Sequence, residues 1–101
     1  MAFLGLVYAI EAVEDLQSIY LHIASDSPES ADRFVREIEA RCEILREVPE
    51  IGVSRSDLLE GARILTFRRR VVIVYRLSAG KIDVLRIFYG GRDYEAIILG
   101  E

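Results

Sequence analysis

Val71-Val72-Ile73-Val74-Tyr75-Arg76-Leu77 is the stretch that decides the fold. β-branched residues dominate it, and nothing polar interrupts it before Arg76. A short run of this kind, without alternation, predicts a central strand covered on both faces. Arg68-Arg69-Arg70 precedes it and predicts a turn, with a short strand before that over Ala62 to Phe67. Ser78-Ala79-Gly80 follows as a tight turn and leads into Ile82 to Tyr89. That third strand alternates less cleanly, because Asp83 and Arg86 interrupt it. Gly90-Gly91 ends it, and Arg92 to Leu99 reads as a short C-terminal helix or extension.

The N-terminal half has a different period. Phe3 to Tyr8 is a short apolar run containing Gly5 and predicts a buried strand. From Glu11 onward Val13, Leu16, Tyr20 and Ile23 recur three and four apart, with Glu14, Asp15, Gln17 and Ser18 between them. This is the pattern of an amphipathic helix. Ser27-Pro28-Glu29 predicts a second helix start: a capping hydroxyl, a proline at the first helical position, and an acid near the positive end of the dipole. Ala31, Phe34, Val35, Ile38, Cys42, Leu45 and Val48 share one stripe of that helix, and Pro49 stops it. Glu29/Arg33, Asp32/Arg36 and Glu37/Arg41 are spaced for ion pairs on its outer face. The short connection predicts an antiparallel helical hairpin. Ile51 to Gly61 reads as a polar loop. The order is β-α-α-β-β-β, an α+β fold with the hairpin on one face of a mainly antiparallel four-stranded sheet. With no repeat, linker or low-complexity segment, residues 1–101 read as a single domain.

Composition narrows the function classes. The chain has 101 residues, 51% of them hydrophobic and 30% charged. So apolar a chain fits either a dense β core or an exposed patch for a partner. The net charge of −4 argues against a general nucleic-acid binder, whose affinity depends on neutralising phosphates. One cysteine, Cys42, excludes an intrachain disulfide, and one histidine, His22, excludes the usual His/Cys zinc cluster. We therefore expect no metal and no cofactor. The apolar start, Met1 to Ile10, meets Glu11 at once, is too short to span a membrane and lacks the basic flank of a signal peptide. A cytoplasmic protein without membrane contact is expected.

Several stretches, in order and spacing, resemble the RelE/ParE toxin superfamily, and its ParE branch in particular. Ala12-Val13-Glu14-Asp15-Leu16 is similar to the opening of that family's first helix. Ser27-Pro28-Glu29-Ser30-Ala31-Asp32-Arg33-Phe34 is similar to the start of its second. Cys42-Glu43-Ile44-Leu45 followed by Pro49-Glu50-Ile51-Gly52 resembles the exit from that helix. Gly61-Ala62-Arg63, Val74-Tyr75-Arg76, and Val84-Leu85-Arg86-Ile87 with Gly90-Gly91-Arg92-Asp93 resemble the strand motifs. Tyr89 stands where the family commonly has histidine, and Arg68 to Arg70 is more basic than its usual turn and lacks the frequent glycine.

The resemblance implies the toxin of a type II toxin–antitoxin (plasmid stabilisation) module. It would inhibit growth by binding DNA gyrase and blocking replication, and a cognate ParD-like antitoxin would neutralise it. Such a toxin has no catalytic residues of its own and no sequence-specific nucleic-acid binding. The implied assemblies are a homodimer or a toxin–antitoxin hetero-oligomer. The alternative is a ribosome-dependent mRNA endonuclease of the RelE type. That chemistry needs a base, cations for the phosphorane charge and an acid. The only lysine is Lys81, the strand position near Val72 is apolar, and no complete acid–base set is visible.

The candidate target-binding residues are Arg68, Arg69, Arg70, Arg86, Tyr89, Arg92 and Tyr94, since arginine and tyrosine combine contact area with directed hydrogen bonds. Other readings stay open. The arginine triplet also reads as a solvated turn, Arg92-Asp93 as the end of a strand and start of a helix, and Tyr89 as a buried tyrosine. The candidate antitoxin-binding residues are Leu4, Leu6, Ile19, Val35 and Tyr75, the last also reading as core. His22 reads as an exposed bystander and Cys42 as a buried structural thiol.

Overall fold

β4 (Val71–Ser78) forms at the centre of the sheet, as its unbroken apolar sequence requires. Val71, Ile73 and Tyr75 face one side and Val72 and Val74 the other, and both sides are covered. The computed structural model describes residues 4–100. Around β4 stand β1 (Gly5–Tyr8), β2 (Val53–Ser54), β3 (Ala62–Phe67) and β5 (Lys81–Tyr89), in the order β1-β5-β4-β3-β2. β1 runs parallel to β5 and the other neighbours are antiparallel. The expected strand start at Phe3 lies outside the described residues.

The hairpin of α1 (Ile10–Ala24) and α2 (Pro28–Ile44) covers one face of the sheet. The Ser27 hydroxyl accepts from Ser30 N at 3.2 Å and Pro28 opens α2, so the local start signal operates as read. Ile19, Ile38, Cys42 and Leu45 pack against Val71, Ile73, Tyr75, Ile82, Val84 and Ile87. The opposite face carries a smaller core of Ala62, Ile64, Val74 and Phe88. α3 (Tyr94–Leu99) lies over it through Tyr94, Ile97 and Ile98.

The sheet has five strands rather than four. β2 sits within the stretch read as a polar loop and is only two residues long, too short for any periodicity. Distant side chains place it. Arg63 donates to Gly52 O at 2.7 Å, and the Gly52 N–H donates to the Tyr75 hydroxyl at 2.9 Å. A Cβ at Gly52 would stand 2.7 Å from that hydroxyl oxygen, so glycine is required there.

Other local expectations are corrected. α2 ends at Ile44, before Pro49, because i→i+3 bonds from Leu45, Arg46 and Glu47 tighten the next turn. Val48 is consequently exposed. Val13 is also exposed, and the buried face of α1 is Ala12, Asp15 and Ile19. Asp15, read among the outer polar residues, is 8% exposed. In β5, Leu85 is skipped in the register with β4, so Val84 and Ile87 both face the helices. That bulge accounts for the irregular alternation of the strand. None of the three ion pairs expected along α2 forms among the described residues; Glu37 instead pairs with Arg68 at 2.8 Å.

Candidate functional site

Phe67 ends β3 and Val71 opens β4, leaving Arg68, Arg69 and Arg70 to reverse the chain. The Arg70 N–H closes the turn on Phe67 O at 3.2 Å. Arg68 and Arg69 take φ values of 53° and 61°, the left-handed region. Two successive positive φ angles define the hairpin turn that ordinarily uses Asn-Gly. Arginine at both positions carries backbone strain, on the order of 1 kcal/mol or more per residue. The turn therefore projects three guanidinium groups at the end of the sheet.

Tyr89 ends β5 beside this turn. Its ring makes edge contacts with Phe34 of α2 at 5.4 Å and with His22 of α1 at 5.9 Å between centroids. The tyrosine is thus held between the closed end of the helical hairpin and the sheet. Two grooves share it as a wall. The first, about 420 Å³, is lined by Ile23, Ser30, Arg33, Phe34, Glu37, Arg68, Arg70 and Tyr89. The second, about 400 Å³, is lined by Asp15, Ser18, Ile19, His22, Ile87, Tyr89, Gly90 and Arg92. The carboxylate of each groove is matched inside the fold, Glu37 by Arg68 and Asp15 by Arg86. Arg41 and Arg68 lie over the Phe67 ring at 4.9 and 5.5 Å.

The target-binding candidates divide by position. Arg68, Arg70 and Tyr89 converge on the first groove, and Tyr89 and Arg92 on the second. Arg69 is exposed at the turn. Arg86 is committed elsewhere: its Nε and NH2 donate to Asp15 at 2.8 and 2.9 Å, and this pairing raises its proton affinity above the usual guanidinium value. Tyr94 lies on the other face of the sheet, against Phe88, and lines a separate cavity of about 230 Å³ with Val53, Arg55, Ile64 and Thr66. Arg33, Phe34 and His22 complete the grooves and were not among the candidates. The hairpin topology brings them to Tyr89, and their spacing in α1 and α2 carries no sign of it.

The antitoxin-binding candidates divide as well. Leu4, Leu6 and Val35 are partly buried. Ile19 is 5% exposed and Tyr75 is fully buried, so both belong to the core and present almost no surface. The Tyr75 hydroxyl donates to Pro49 O at 2.7 Å while accepting from Gly52 N, and burial raises its pKa. Cys42 is buried as expected, its thiol pushed up to about 11 by desolvation. Among the described residues no cluster of three His, Cys, Asp or Glu side chains could hold a metal ion, and no helix is long and apolar enough to cross a membrane.

The chain matches the family described as "ParE toxin of type II toxin-antitoxin system, parDE" over residues 6–94. Among solved structures it is similar to a chain of the chromosomal ParDE TA system from P. aeruginosa, at 29% identity and a TM-score of 0.74. That likeness covers 86% of this chain and 96% of the other. The solution structure of the conserved hypothetical protein HP0894 from Helicobacter pylori aligns at 13% identity and a TM-score of 0.48, over 88% and 97% of the two chains. No curated protein sequence matches the chain. The match spans the strands, the helical hairpin and the arginine turn, and the chain belongs to the ParE toxin family of type II toxin–antitoxin systems.

Proposed function

We propose that this toxin arrests growth by binding DNA gyrase and blocking replication, and that a ParD-type antitoxin silences it. The observation that carries the reading is the likeness to the solved P. aeruginosa ParDE system over nearly the whole of both chains. The gathering of arginine and aromatic side chains at one end of the fold supports action through a binding surface. For the antitoxin, exposed Ile10 and Leu21 on α1 supply apolar surface that buried Ile19 and Tyr75 cannot. Leu4, Leu6 and Val35 stay within the proposed contact.

The test is expression of the chain without its antitoxin, followed by supercoiling assays with purified toxin and gyrase. The expected result is growth arrest, loss of supercoiling and accumulation of cleaved DNA. Undiminished supercoiling at excess toxin overturns the gyrase assignment. Codon-linked cuts in primer extension on mRNA would assign the arrest to RelE-type cleavage instead.

A further inference from the structure

We propose that the two grooves flanking Tyr89 form one binding track for a single-stranded phosphodiester chain, with guanidinium groups on the phosphates and the aromatic ring between them against a base. The inference stands on this geometry and requires no particular protein target. Arg33, Arg68 and Arg70 line the first groove and Arg92 the second, with Tyr89 common to both. Cation, ring, cation is the order that a strand presents in complement: phosphate, base, phosphate. Planar guanidinium forks match phosphate oxygens two at a time. An aromatic ring stacks any base, which makes such a track indifferent to sequence.

The charges of the fold fit this use. Its net charge is −4, so the positive end is a local feature set into an acidic chain. Its reach is limited to about the 10 Å screening length of moderate salt. Arg70 and Arg92 carry no ion pair among the described residues; Arg92 lies over the Phe88 ring at 5.6 Å, and Arg33 makes a 3.4 Å contact with the Ser30 hydroxyl. Glu37 holds one fork of Arg68 and leaves the other arginines of that groove open. Grooves of about 420 and 400 Å³ are each large enough for a small ligand fragment such as one nucleotide. An acidic peptide would satisfy the cations and leave the ring between them without a function, so the phosphodiester chain is the better match.

The experiment is fluorescence anisotropy of labelled ten-residue oligo-dT and oligo-rU with the purified full chain, from low to moderate salt. Saturable binding that weakens with salt is expected, and the tighter of the two oligonucleotides identifies the source of the strand. Arg33→Ala and Arg70→Ala should each weaken binding about tenfold at low salt and flatten the log–log salt slope by about 0.7. Tyr89→Leu should weaken binding by about tenfold while keeping the slope, because it removes stacking and no charge. Arg36→Ala on the outer face of α2 should change nothing, with circular dichroism checking the fold of each variant. Three outcomes overturn the proposal: no saturable oligonucleotide binding, an Arg36→Ala effect as large as that of Arg70→Ala, or binding of poly-glutamate in place of either oligonucleotide.

Discussion

The Asp15 carboxylate and the Arg86 guanidinium, 71 residues apart, meet in a two-pronged hydrogen bond of 2.8 and 2.9 Å, and the same carboxylate accepts the Ile87 N–H at 2.8 Å. β1 ends its register with β5 at Val84. Beyond that point the outer edge of β5 has no strand beside it among the described residues, and Asp15 supplies the missing acceptor. Asp15→Ala removes the acceptor of a buried N–H and the partner of a partly buried cation, and should cost about 2–3 kcal/mol. Asp15→Asn keeps an oxygen for Ile87 and should cost less. Urea unfolding checks both, and an alanine variant within 0.5 kcal/mol of the parent would show that the edge needs no such cap.

Tyr75 and Gly52 should couple in the same kind of measurement. Tyr75→Phe leaves the Gly52 N–H and Pro49 carbonyl without their partner, a loss of about 1–2 kcal/mol. Gly52→Ala places a methyl 2.7 Å from the hydroxyl oxygen and 2.8 Å from the ring, and should cost more. Because the phenol oxygen is one of the clashing atoms, the double variant should lose less than the sum of the two. Strict additivity in a double-mutant cycle would remove Tyr75 as the organiser of β2.

These two contacts also mark how far the fold was legible in the chain. β4 opens on an unbroken apolar run bounded by turn residues, β3 is a short strand between the same kind of boundaries, and Ser27-Pro28 is a local start signal, so short-range chemistry suffices for them. Asp15 could not be placed that way. A carboxylate between apolar positions reads as solvent-facing until Arg86 and the bare edge of β5 are brought to it. β2 is held by its pairing with β3 and by Arg63 and Tyr75, which reach back to Gly52 just before it. The site was half legible for the same reason. Arg68, Arg70, Tyr89 and Arg92 stand out as residue types near turns, whereas Arg33, Phe34 and His22 join them only through the closure of the helical hairpin.

The arginine turn should be a place where stability and activity trade against each other. Arg69 sits at φ 61° and its side chain has no ion pair among the described residues. Arg69→Gly relieves the left-handed strain and should stabilise the fold by about 1 kcal/mol. Removing a cation from this end should at the same time weaken growth arrest. Higher thermal stability with lower toxicity is the expected pair of results. A glycine variant that is no more stable would mean that the turn holds its shape without strain.

Alkaline pH should loosen the core at Cys42. Desolvation lifts its thiol from an ordinary value near 9 to about 11, and burial also raises Tyr8. Both groups are neutral when protonated, so the folded state retains protons that the unfolded state releases first. The associated stability is complete below pH 9 and is lost as pH rises from about 9 towards 11. At pH 10 the loss from Cys42 is on the order of 1 kcal/mol, and Tyr8 adds to it at higher pH. Cys42→Ala should be less stable at pH 7, because it opens a small cavity, yet show a shallower decline between pH 9 and 10.5. Parallel declines for the two proteins would mean that the thiol titrates alike in the folded and unfolded states.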